Sequence, residues 1–177
     1  MSLGRHFIRS RPDILVKERT LEEKNINVRI LTNIKITVYD LAGQVKEVKE
    51  FHNLITTVGL NMIRDALYGD VSDCEIKYVE VGTGNTAPAL SDTALDAYLF
   101  RKAVTTTSKP ANYQMTTVCY IAPEEAIGAI EEIGWFCGAA AGAGQGTGIL
   151  LSRVLYSRNK TALESLQIER TDTISEG

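Results

Sequence analysis

At 177 residues, 44% hydrophobic and 23% charged, the chain has the composition of one folded domain with its own core, which excludes wholesale disorder and a fibrous repeat. Its 19 basic and 22 acidic side chains leave a formal charge of −3, so it lacks the basic excess of a dedicated nucleic-acid binder, and no direct nucleic-acid contact is expected. Cys74, Cys119 and Cys137 are scattered, with no C-x-x-C pair; they read as small buried hydrophobes of a protein made in a reducing cytosol.

Residues 1–25 read as an extended N-terminal arm. They carry six basic and four acidic side chains around short apolar clusters, and Pro12 blocks a continuous helix. The start is basic without an apolar run, so no secretory leader is expected. One reading is a frayed terminus. The sharper reading is an arm that orders against a partner, with Phe7, Ile8, Ile14, Leu15 and Val16 as its anchors.

The domain proper is expected over 26–177. From Ile26 to Val38 six of the seven even positions are apolar, the period-two signature of a half-buried strand, with a break allowed at Thr32-Asn33. Asp40 to Gly43 supplies turn chemistry. The charged segment Gln44 to Phe51 then suits an exposed or edge partner strand. Helical period appears from about Leu54 to Leu67, so one helix is expected near 54–68, capped by Asn53 and ended at Gly69.

Strands are predicted at Glu75 to Val81, Leu99 to Thr107, Tyr113 to Ile121, Ala129 to Cys137, Ile149 to Ser157 and Ser165 to Thr173. Ser91 to Leu95 reads as a turn or a helical fragment, and Gly138 to Gly148 as a mobile loop. The class is mainly β: an antiparallel β-sandwich or jelly-roll-like domain with one packed α-helix and the extended arm. The uncharged run Ile133 to Ser152 is 20 residues long but holds six glycines, too many for a membrane-spanning helix, and no membrane partner is expected.

Motifs for chemistry fall short. Gly82-Thr83-Gly84-Asn85-Thr86-Ala87 imitates a dinucleotide loop, but Pro88 follows and no long helix begins there; the glycines read instead as positions of positive φ. The cluster around Gly142, Gly144, Gln145 and Gly146 lacks the Lys of a phosphate-binding loop. It reads as a hairpin loop, or as a contact loop whose small side chains admit another backbone. Glu124-Glu125 and Glu131-Glu132 are neighbours on strands and point apart, so they read as solvated charges rather than an acid/base pair. Two histidines without metal spacing leave no metal or other cofactor expected. His52 with a cysteine would give a hydrolase, testable by thiol reactivity. Trp135 reads as a core aromatic or an interface anchor.

Three stretches together resemble a known family. Phe51-His52-Asn53-Leu54-Ile55-Thr56-Thr57-Val58-Gly59-Leu60 leads into the helix. The string from Val79-Glu80-Val81-Gly82-Thr83-Gly84 through Pro88 to Ser91-Asp92-Thr93-Ala94-Leu95 follows, with Arg101 behind it. Then come Ile130 to Phe136, Leu151-Ser152-Arg153-Val154 and Asn159-Lys160-Thr161. This order, over residues 50–173, is similar to that of structural proteins of tailed bacteriophages and prophages: tail, tail-fibre or other virion proteins. The resemblance implies a non-enzymatic β-rich assembly or attachment module of the tail, collar or fibre region. It would be a homo-oligomer that contacts other virion proteins and is assembled in the host cytoplasm. The chain is short beside a fibre with a long shaft, which favours an adaptor, collar or capsid-decoration role. A carbohydrate- or receptor-binding β-sandwich is the alternative, and it predicts exposed aromatics beside polar groups in a concave site.

Overall fold

Strand β1 (Val28–Asp40) follows the predicted alternation: Ile34, Ile36 and Val38 are buried, while Asn33 and Lys35 lie on the opposite face. It runs unbroken through Thr32-Asn33 because the inward Thr32 hydroxyl donates to Asp172 across the sheet, at 2.5 Å. A buried polar group that finds such a partner loses the reason to break the strand. The computed structural model describes residues 28–176. The arm at 1–25, with Phe7, Ile8, Ile14, Leu15 and Val16, lies outside the described residues.

Asp40 closes the first hairpin. Its Oδ1 accepts from the Ala42 and Gln44 N–H groups at 2.9 and 2.8 Å. Strand β2 (Val45–His52) returns antiparallel as the charged, exposed edge of its sheet. A two-residue strand β3 (Leu54–Ile55) pairs with a later strand, so helix α1 (Thr57–Tyr68) starts three residues beyond the expected point. Thr56, not Asn53, is its N-cap: Thr56 Oγ1 accepts the Gly59 N–H at 3.1 Å and donates to the Leu150 carbonyl. Gly69 ends the helix in the left-handed conformation, at φ +94°.

Beyond the helix come β4 (Ile76–Gly82), β5 (Tyr98–Ala103), β6 (Thr106–Ser108), β7 (Gln114–Ile121), β8 (Gly128–Cys137), β9 (Ile149–Lys160) and β10 (Glu164–Glu176). The single strand expected over Leu99 to Thr107 is divided in two. Its first part joins one sheet and its last residues the other, because Val104 bonds back to Lys77 and Thr105 to Val118. Ser91 to Leu95 forms a turn, not a helix.

Among the described residues two five-stranded antiparallel sheets result, with orders β2-β1-β10-β7-β6 and β3-β9-β8-β4-β5. Their inner faces share one apolar layer. Ile36, Ile168 and Cys119 come from the first sheet, and Val79, Ile133, Trp135 and Val154 from the second. Each such aliphatic contributes about 1.5–3 kcal/mol by leaving water, which is what holds the sheets face to face. Arg170 also reaches inward: it pairs with Asp172, bonds the Ser152 hydroxyl of the other sheet, and lies over the Trp135 ring. Strands β8 and β9 are buried on both faces over most of their length. Something must therefore cover the outer face of the second sheet.

Candidate functional site

The cover consists of two loops, each held from beneath by a buried arginine and a buried glutamate. Along β4 and β8 the alternation sends Val79, Val81, Ile133 and Trp135 into the core, so Glu80, Gly82, Glu132 and Gly134 face outward. On β9, Arg153 is paired with Gly134 and shares that outer face.

Glu132 and Arg153 clasp the loop 83–97. Glu132 is 0% exposed and Arg153 1%. Glu132 Oε1 accepts the backbone N–H groups of Gly84 and Ala97 at 3.1 and 2.9 Å, and Oε2 accepts that of Asp96 at 3.1 Å. Arg153 Nε donates to Glu132 Oε2 at 2.7 Å, Nη1 to Asp92 at 2.8 Å, and Nη2 to Asp96 at 2.7 Å and the Thr86 carbonyl at 3.1 Å. One guanidinium against three carboxylates leaves an excess of negative charge. Backbone N–H groups meet that excess as a helix N-terminus would meet an anion. The Thr86 hydroxyl holds the Asp96 carboxyl below its usual range against the effect of burial, and Arg153 adds to the lowering. Burial disfavours the Arg153 cation, yet its three carboxylate partners raise its pKa on balance.

Arg101 and Glu80 clasp the loop 138–148. Arg101 Nη1 donates to Glu80 Oε2 at 2.9 Å, Nε to the Gly142 carbonyl at 2.8 Å, and Nη2 to the Thr147 carbonyl at 2.6 Å. Glu80 Oε1 accepts the Gly146 N–H at 3.1 Å. The guanidinium lies over the rings of Phe136 and Tyr78, 4.4 and 4.8 Å from their centroids, a stacked geometry that a lysine would not reproduce. The expected mobile loop is thus tied to the sheet at Gly142, Gly146 and Thr147. Its exposed surface is made of Ala139, Ala140, Ala143, Gly144, Gln145 and Gly146.

Two sequence expectations are corrected here. Glu132 is not a solvated charge; only its neighbour Glu131 is partly exposed, accepting the Ser157 hydroxyl at 3.1 Å. Glu125 is likewise engaged, with Lys102 and the Ala122 N–H. Gly82 and Gly84 do not have positive φ. They are glycines because a Cβ there would strike the Glu132 carboxylate and, at Gly82, the Ala97 carbonyl as well. The signal for Glu132 was present: β8 and β9 read as apolar on both faces, and a carboxylate and a guanidinium in such strands have to find each other. Gly82, Gly84, Asp92, Glu132 and Arg153 belong to the strings that carry the family resemblance, and they meet in this one clasp.

The remaining candidates do not converge with it. Trp135 is wholly buried in the core. His52 is exposed on the β2 edge, with Nδ1 3.4 Å from the Thr32 carbonyl. Burial pushes the Cys119 and Cys137 thiols up to about 12, away from the depressed range that makes a thiol nucleophilic. Among the described residues no group of three or more His, Cys, Asp or Glu side chains is placed to hold a metal ion. No helix among them is long and apolar enough to cross a membrane. Neither family models, nor curated proteins, nor solved structures give a match to this chain.

Proposed function

We propose that this chain is a non-enzymatic structural protein of a tailed-bacteriophage virion, an assembly or attachment module of the tail, collar or fibre region. The observation that carries the reading is the pair of loops, rich in small side chains, fastened onto one face of the sandwich by Arg153–Glu132 and Arg101–Glu80. Each clasp satisfies its own charges and ties its loop to the sheet before any partner arrives. Loops held in this way lose little entropy when a partner docks. The guanidiniums make their contacts within the protein, so they serve geometry rather than turnover. The order of sequence strings in residues 50–173 supports the virion assignment, and the loop residues Gly142, Gly144, Gln145 and Gly146 are the contact candidates. The partners in this reading are further copies of the chain, closed into a ring, and other virion proteins, with assembly in the host cytoplasm. The arm at 1–25 supplies the anchors Phe7, Ile8, Ile14, Leu15 and Val16 for attachment.

Light scattering of the full chain and of a variant lacking residues 1–25 tests the reading. A discrete oligomer from both places the self-contact on the β-domain and leaves the arm for a second partner. An oligomer lost with the arm makes the arm the joint between like subunits. Monomers from both, together with absence of the chain from purified particles of a producing cell, would sink the proposal.

A further inference from the structure

We propose that the outer face of the first sheet carries a binding site for a neutral oligosaccharide, in a trough across β1, β10 and β7. The trough has a volume of ≈ 380 Å³, within the range of small-ligand clefts, roughly 300–1,000 Å³. Its floor is the central strand β10, where Gln167, half-buried, and Ser165, only 4% exposed, lie on the face opposite the core residues Leu166 and Ile168. Its sides are Tyr39, opposite Ser165 on β1, and Tyr120, opposite Gln167 on β7. The two tyrosines therefore stand on strands flanking the floor, two inter-strand spacings apart and offset by two residues along them, roughly 12 Å between their Cα atoms. A β-bulge falls between Val38 and Tyr39, a device that re-aims a side chain at the end of a strand.

The polar groups of the trough are unspent. Among the described residues the Gln167 amide, the Ser165 hydroxyl and both tyrosine hydroxyls make no hydrogen bond to the protein, and Asp40 keeps Oδ2 free while Oδ1 closes its own turn. Donors and acceptors thus alternate beside two aromatic rings, one of them Tyr120 at 39% exposure. Aromatic rings pack against the C–H face of a sugar ring, and amide, hydroxyl and carboxylate groups bond its hydroxyls. Among the described residues Asp40 is the only Asp, Glu, Lys, Arg or His that lines the trough, so an acidic sugar would find no cation among them, which favours a neutral one.

Both sides of the trough are braced, at the end nearest Glu164, before any ligand arrives. On the β1 side the turn is fixed by Asp40, whose N–H also bonds the Gln44 carbonyl at 2.9 Å. On the β7 side Pro123 is held by Lys160, which is 1% exposed. The Lys160 ammonium donates to the Ala122 and Pro123 carbonyls at 2.9 Å each. Burial lowers the Lys160 pKa, with Glu164, Glu125 and Glu124 opposing the shift. A buried cation held chiefly by two backbone carbonyls at one wall is a costly device for a plain loop. Here it fixes the wall that faces Tyr39 and Tyr120, and a braced site loses less entropy on binding.

The site does not rest on the virion reading, and its test is separate from oligomer mass and particle content. Saturation-transfer NMR on the full chain, with cellotriose, maltotriose and chitotriose as probes at about 5 mM, reads weak binding, with Kd on the order of 1 mM. At least one probe is expected to give saturable transfer to its ring protons. Tyr120→Ala and Gln167→Ala should each weaken binding about tenfold. Tyr120→Phe should retain most of it, and Tyr98→Ala, on the other sheet, should leave it unchanged. No saturable transfer from any of the three probes would overturn the proposal. So would binding that survives Tyr120→Ala and Gln167→Ala in folded protein.

Discussion

The Glu132 carboxylate accepts the Gly84 N–H at 3.1 Å and occupies the place that a side chain on residue 84 would need. The same carboxylate oxygen lies 2.6 Å from where a Cβ on Gly82 would stand. Neither neighbour can yield: Glu132 is locked by Arg153, and the Ala97 carbonyl beside Gly82 is backbone. Gly82→Ala and Gly84→Ala should each cost about 2–3 kcal/mol, the upper range for overpacking. Gly43→Ala makes a useful contrast. It meets open space at φ +77° and should cost only about 1 kcal/mol, from backbone strain alone. Urea denaturation measures all three, and parity between Gly84→Ala and the parent would refute the close-approach account.

Removing the cation of the first clasp should hurt more. Arg153→Ala leaves Glu132 buried without its partner, and breaking a buried pair from one side costs roughly 3–5 kcal/mol. The loss should be local as well as global. Amide hydrogen exchange at 83–97, where the N–H groups of Gly84, Asp96 and Ala97 bond Glu132, should accelerate more than exchange in β1 or β10. Uniform acceleration over the whole chain would mean that Arg153 supports the core and not the loop.

Much of this architecture was legible in the residues, and the failures have physical reasons. The alternation in β1 placed Ile34, Ile36 and Val38 correctly because only one face of that strand is apolar. In β8 and β9 both faces are buried, so alternation carries no information and Glu132 could be taken for a surface charge. Glycine serves two ends, positive φ and close approach, and sequence alone does not separate them. Gly69 follows the first and Gly84 the second. The helix start was displaced because Asn53 and Thr56 are both good caps. Tertiary contact decided for Thr56, whose hydroxyl also reaches the Leu150 carbonyl. The trough on the first sheet was invisible for another reason. Tyr39, Tyr120 and Gln167 are far apart in sequence and meet only through the β1-β10-β7 strand order.

The second clasp predicts a different phenotype. Arg101→Lys keeps the charge but loses the fork that reaches Glu80, Gly142 and Thr147 together, along with stacking on Phe136 and Tyr78. A cost of about 2 kcal/mol is expected, because a lysine at a bidentate, stacked site is not conservative. Limited proteolysis should open the chain first at 138–148, where Gly144, Gln145 and Gly146 are exposed. Cleavage at the parent rate would show that the loop is stiff without Arg101.

Acid should weaken the domain through Glu164. The Arg158 side chain bonds both its oxygens, Nε at 2.8 Å and Nη2 at 2.6 Å, and Lys46 adds a third contact at 2.8 Å. Arg158 foremost, against burial and with Lys46 assisting, brings the Glu164 carboxyl down from 4.5 to about 2. The folded pKa lies below the unfolded one, so the stabilisation is complete above about pH 4.5 and is lost as pH falls toward 2. The shift corresponds to about 3 kcal/mol; screening at Lys46, which is 45% exposed, reduces this to roughly 2. Glu164→Gln removes that titration. The gap in unfolding free energy between the parent and Glu164→Gln should be widest near neutral pH and narrow progressively below about pH 4.5. Denaturation curves at pH 7, 4 and 2.5 read it directly, and a gap that stayed constant with pH would show that Glu164 does not titrate with folding.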